Sequence, residues 1–148
     1  MFGTAAQRPI GLASDIWTLG CSIFAIFGQL DLFEGFFPDE DDAFAEKISA
    51  PGKSPRTWWD SWGARRDFFN AEGDWEVKVS RHMDVEYRSL EARVQRIKRD
   101  RNDLLGDDEI ADFAFTLRDM LRWEPEERIS AQDLATGTWM TKWGSKRG

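Results

Sequence analysis

The chain has 148 residues, which at about 100–200 residues per domain is one domain or part of one. Its 41% hydrophobic and 32% charged residues exclude a low-hydrophobicity disordered tail, and its net charge of −7 argues against a nucleic-acid or anionic-membrane partner for the chain as a whole. A single cysteine excludes a disulfide framework and a Cys-rich zinc site, and a single histidine leaves little room for a multi-His metal centre.

Residues 1–13 read as irregular, broken by Gly3, Pro9 and Gly11. The start has no basic region followed by an apolar core, so no secretory signal is expected. A helix is expected from Ser14 or Asp15, either of which can cap it, to a stop at Gly28. Apolar residues fall on every face of this helix, the mark of an element surrounded by protein. Its apolar run, 16–27, is shorter than the ~18 residues of a membrane span. Cytoplasm or nucleus is the expected compartment, and Cys21 is expected to be an inert core thiol.

An aromatic loop at 32–38 leads to the acidic run Asp39, Glu40, Asp41 and Asp42. These carboxylates suit the positive end of a short helix reaching Ile48. They do not have the spread-out ligands and central glycine of an EF-hand. Residues 51–75 read as a long loop pinned by Trp58, Trp59, Trp62, Phe68, Phe69 and Trp75. Arg56, Arg65 and Arg66 lie between these aromatics, a pattern that also fits base stacking, but Asp60, Asp67, Glu72 and Asp74 dilute the basic charge.

A helix over 84–99 would carry Tyr87, Leu90, Val94 and Ile97 on one stripe and end in basic residues from Arg93 to Arg101. That basic end suits a helix C-terminus and is also the best local case for nucleic acid. The clearest amphipathic helix is 107–122, with Ile110, Phe113, Ala114, Leu117, Met120 and Leu121 on one face. Pro125 ends that segment, and Ser130 opens a last short helix closed by Gly137. No period-2 strands stand out, so the expected class is all-α.

Two segments carry a family resemblance. Asp15-x-Trp17-x-x-Gly20-Cys21 resembles the start of the F helix in the C-terminal lobe of a eukaryotic protein kinase. Residues 117–131, with Trp123, Pro125 and Arg128, resemble the end of the H helix, the Pro-x-x-Arg loop and the start of the I helix. Gly137-Thr138-Trp139-Met140 resembles the His-Pro-Trp-Phe ending with His and Pro lost. Leu32-Phe33, the acidic helix, Pro51-Gly52-Lys53-Ser54-Pro55, residues 67–75 and Gly106-Asp107-Asp108-Glu109 look like SR-protein kinases, especially fungal ones. The resemblance implies an incomplete kinase fold, with 14–148 as a partial C-lobe running from the F to the I helix. It implies scaffold roles for Asp15, Trp17, Gly20, Trp123, Pro125 and Arg128. Asp15 would bond the backbone of the catalytic loop, and Arg128 would pair with the Glu of an Ala-Pro-Glu motif.

Phosphoryl transfer needs a phosphate cradle, a lysine, two Mg²⁺ ligands and a catalytic aspartate. The sequence has no Gly-x-Gly-x-x-Gly, no Val-Ala-Ile-Lys, no Asp-Phe-Gly, and no Ala-Pro-Glu before Asp15. Arg81-His82-Met83-Asp84 only superficially resembles His-Arg-Asp, with Ser89 where the Asn would stand. His82 is expected to be solvated rather than catalytic.

No catalytic, cofactor-binding or metal residue is therefore expected; ATP and Mg²⁺ belong to the full-length family. The chain is expected to be inactive alone as part of an SR-protein-kinase-like Ser/Thr kinase. The alternative is a non-catalytic module docking Arg-rich segments through Asp31, Glu34, Asp39, Glu40, Asp41 and Asp42. Expected partners are Arg-Ser-rich proteins or the missing kinase portion, with neither nucleic acid nor membrane. Without its usual neighbours the first helix should leave an apolar patch exposed.

Overall fold

The computed structural model describes residues 11–33, 39–81, 83, 88–101 and 104–146. Among these residues the protein is all-helical; Phe69 and Trp75 form one isolated antiparallel bridge. Seven α-helices follow in order: α1 (Leu12–Gly28), α2 (Glu40–Ser49), α3 (Arg56–Ser61), α4 (Leu90–Asp100), α5 (Asp107–Met120), α6 (Ala131–Thr136) and α7 (Thr138–Lys142). Most of the expected irregular segment, residues 1–10, and the expected loop residues 34–38 lie outside the described residues, as do His82, Asp84 and Tyr87.

The helix starts follow local chemistry. Asp39 caps α2 by accepting from the Asp42 amide, Ser89 caps α4 through Ala92, and Ser130 caps α6 through Asp133. The first helix begins at Leu12, earlier than Ser14 or Asp15, because extended Gly11 serves as its N-cap and accepts from the Ser14 amide. It ends as expected at Gly28, with Gln29 in the left-handed region at φ 55°. The helix expected over 84–99 begins only at Leu90, since the Ser89 hydroxyl already satisfies an end amide there. The stretch expected to be a loop contains α3, and a further helix, α7, follows Gly137 directly.

Two cores result. In the main one α1, α4 and α5 pack through Phe24, Val94, Ile97, Phe113 and Leu117, and Trp139 of α7 closes its end. Gly28 permits the α1–α4 contact, since a Cβ there would lie 2.8 Å from the Ile97 side chain. The second core gathers Ala45, Ile48, Trp62, Phe68 and Phe69, so the aromatic stretch is indeed pinned by its rings. Trp62 stacks on Phe68 at 5.3 Å between ring centroids.

A polar clasp fastens the C-terminal end. Trp143 Nε1 donates to Asp112 at 2.8 Å and Lys142 Nζ at 3.2 Å, tying α5 to the residues around α7. The Trp143 bond, helped by Lys142, holds the Asp112 carboxyl below its ordinary 3.8. A lowered folded value stabilises the protein above about pH 3.8, and that contribution disappears as pH falls through the folded value. Asp112→Asn is therefore expected to lower Tm at pH 7, with a gap that narrows as pH falls below about 3.8. A Tm gap in thermal melts that stays constant as the pH is lowered would count against the clasp.

Candidate functional site

Five of the six scaffold residues meet where the N-terminal half of α1 crosses the segment after α5. Trp17 stacks on Phe33 at 6.2 Å and packs against Trp123 at 5.8 Å. Trp123 donates from Nε1 to the Gly52 carbonyl at 2.8 Å, which links this crossing to the second core. Pro125 opens a short 3₁₀ turn, Pro125–Glu127, where its missing N–H is harmless. Gly20 lets α1 and α5 approach, because an added Cβ would sit 3.3 Å from Met120 Cβ.

Arg128 is the tie of this crossing. Its guanidinium donates to the carbonyls of Ala13 (2.7 Å), Arg122 (2.7 Å) and Trp123 (3.2 Å) and lies 5.2 Å over the Trp17 ring. Burial holds its pKa below the ordinary arginine value, against the opposing pull of Glu126 and Glu124. The resemblance implies a glutamate partner for Arg128; here three backbone carbonyls take that place.

Asp15 stands apart from this group. It lies on the outer side of α1, where Leu12 is 86%, Leu19 42% and Ile26 80% exposed. Their spacing, with Asp15 and Ser22 between, is alternately three and four residues, which lines them up as one helical stripe. Beside it runs an open groove of about 700 Å³, walled by Leu12, Asp15, Leu19, Arg128 and Ile129. The inner face of α1 is buried, and the exposed apolar patch expected of this helix without its usual neighbours is present at Leu12, Leu19 and Ile26 among the described residues. Such a stripe needs a cover.

The acidic run is engaged from within. Arg81 donates to Asp39 at 2.7 Å, Asp42 at 3.3 Å and Asp67 at 3.0 Å. Asp41 accepts from Trp62 Nε1 at 2.7 Å. Burial, reinforced by Asp39, raises the pKa of Asp42, whereas Asp39 is lowered, chiefly by the Asp42 amide and then by Arg81. Of the four carboxylates of this run, only Glu40 is exposed with no hydrogen bond or ion pair among the described residues. Asp31 is also exposed, and Glu34 lies outside the described residues.

The basic end of α4 is likewise engaged. Arg93 and Arg88 both pair with Glu46, Lys98 with Asp107 and Arg96 with Asp100, while Arg101 donates to the Phe27 carbonyl. Glu46 is the residue missed from the sequence, although one signal was available. It sits on the same side of α2 as Ala45, Ile48 and Ser49, and a carboxylate on a buried stripe demands a cationic partner.

Burial raises the pKa of the Cys21 thiol, in keeping with an inert core thiol. The described residues contain no group of three His, Cys, Asp or Glu side chains able to hold a metal. No described helix is long and apolar enough to cross a membrane.

The chain matches no family model. It is 32% identical over 130 residues to a serine/threonine protein kinase of Aspergillus fumigatus, found in two strains, an alignment covering 85% of this chain. Its relatives are serine/threonine protein kinases. Another, from Dictyostelium discoideum, carries the name "Probable serine/threonine-protein kinase dyrk2" and is 29% identical over 142 residues, 96% of this chain. The chain spans 30% of the length of the Aspergillus kinases and 14% of the Dictyostelium protein. The likeness therefore concerns a kinase-related segment with an all-helical fold.

Proposed function

We propose that this chain is the helical scaffold of a serine/threonine protein kinase of the SR-protein type, supporting a catalytic portion and not transferring phosphate by itself. The observation that carries the reading is the outer face of α1. There Leu12, Leu19 and Ile26 flank an exposed Asp15 beside a 700 Å³ groove tied to Arg128. An apolar stripe with a carboxylate in its middle suits a partner that supplies apolar side chains and backbone N–H donors. The sequence has no Gly-x-Gly-x-x-Gly loop to cradle nucleotide phosphates, and the described residues hold no group of three His, Cys, Asp or Glu to hold Mg²⁺. In the assembled kinase ATP and Mg²⁺ would sit on the supported portion, with Arg-Ser-rich proteins as substrates, in the cytoplasm or nucleus. Docking of Arg-rich segments on α2 is the weaker reading, because Asp39, Asp41 and Asp42 already have internal partners.

Incubation of the purified chain with Mg-ATP and an Arg-Ser repeat peptide is expected to give no phosphopeptide, and turnover would refute the scaffold role. The free chain is expected to self-associate through the α1 stripe. Leu19→Glu with Ile26→Glu should shift it to monomer by light scattering, because both side chains are exposed. A wild-type chain that is monomeric and binds no apolar-surface dye would overturn the reading. So would failure to bind the remaining part of the Aspergillus kinase chain, the part outside the 30% that this chain matches.

A further inference from the structure

A second cavity, of about 530 Å³, opens between α3, the turn at Gly63–Asp67 and the tight turn at 70–73. The α1 groove is apolar, but this one sets Lys53, Arg65 and Arg66 against Asp60 and Glu72, with Trp59 and Phe69 as aromatic wall. That volume falls in the usual range of ligand pockets, about 300–1,000 Å³.

Its charges are unequally engaged. Arg65 is fixed, donating to the Trp59 carbonyl at 2.9 Å and to Asp60 at 3.2 Å, and Arg56 reaches the same carboxylate at 3.5 Å. Two arginines thus neutralise Asp60. Lys53 and Arg66, both exposed, form no salt bridge among the described residues. The Lys53 ammonium lies 5.4 Å over the Trp59 ring, held at the pocket instead of pointing into solvent. Gly73 makes this possible: a Cβ there would come within 2.5 Å of Lys53 Nζ, and its φ of +84° is one L side chains rarely adopt. Asn70 Oδ1 accepts from the Asp74 amide at 2.9 Å, which leaves the Asn70 NH₂ as a further donor. Two unpaired cations and an amide donor face one remaining carboxylate, Glu72, in a chain whose net charge is −7.

We propose that this pocket binds a phosphomonoester carried by a partner protein, a phosphoserine or phosphothreonine side chain held by Lys53, Arg66 and Asn70. Such a group brings about −1.5 to −2 charges and three strong acceptor oxygens, which match the donors present. A carboxylate brings one charge and two oxygens. A nucleic-acid strand would have to carry its row of phosphates past Asp60 and Glu72 on an acidic protein.

Calorimetric titration of the 148-residue chain tests the proposal, with a phosphoserine peptide, its unphosphorylated form, inorganic phosphate and a single-stranded RNA of similar length as probes. The phosphopeptide should bind saturably, be displaced by phosphate and weaken as salt rises. Lys53→Met with Arg66→Met should cut its affinity about tenfold or more, the loss of at least one charge-assisted hydrogen bond. Gly73→Val, which displaces the Lys53 ammonium, should weaken it too. Far-UV circular dichroism checks that the variants remain folded. Equal binding of the unphosphorylated peptide, stronger binding of RNA, phosphate binding without any gain from the peptide, or an unaffected double variant would each overturn the proposal. None of these readouts depends on kinase activity or on the α1 face.

Discussion

Glu46→Ala is expected to cost about 3–5 kcal/mol of stability, the range for removing one partner of a buried ion pair. Glu46 is 1% exposed and is gripped by two arginines from the far side of the chain, Arg88 and Arg93. Arg93 also donates to the Leu32 carbonyl and to Ser49 Oγ at 2.6 Å and lies 5.8 Å from the Phe33 ring, so it cannot swing out to solvent without breaking that set. Removing the carboxylate leaves two part-buried cations without their partner, and the penalty falls on the contact between α2 and α4. Chemical denaturation should show a lower midpoint with little dependence on salt, since a buried pair is poorly screened. A loss below about 1 kcal/mol, the value typical of exposed pairs, would mean that the network is solvated.

Phe113→Ala should be similarly severe, about 3–5 kcal/mol for an aromatic core residue. Phe113 is fully buried on α5, with ring centroids 4.6 Å from Phe27 of α1 and 4.8 Å from Trp139 of α7. One side chain thus joins three helices, and alanine would leave a cavity that none of them can fill without shifting. Phe113→Leu, which keeps most of the volume, should cost clearly less. Equal losses in the two variants would place the cost in the aromatic pairs and not in the cavity. Either large loss is a substantial share of the roughly 5–15 kcal/mol that holds an ordinary domain folded.

The helices were legible because their causes are local. The caps at Asp39 and Ser130, the period of Ile110, Phe113 and Leu117 on α5 and the stop at Gly28 each depend on residues a few positions apart. The boundaries that differ lie at Leu12 and Leu90, where extended Gly11 and Ser89 serve as the N-caps. Helix α3 was hidden by the glycines, prolines and clustered aromatics around it; its rings find their partners in the second core.

The candidate site divides along the same line. The family resemblance singled out Asp15, Trp17, Gly20, Trp123, Pro125 and Arg128, and all of these but Asp15 converge. What their charges do was decided by tertiary structure. Arg81 meets Asp39 over 42 residues of sequence separation, Arg93 meets Glu46 over 47, and Arg128 meets the Ala13 carbonyl over 115. A charge run reads the same whether it faces water or a partner, because ion pairing has no sequence period. Hydrophobic burial along a helix does have one, so the sequence by itself determined α1, α2, α4, α5 and α6, though not α3 or α7. Only the packed chain decided that the acidic run turns inward on Arg81 and that the exposed patch on α1 is the stripe of Leu12, Leu19 and Ile26 with Asp15 among them.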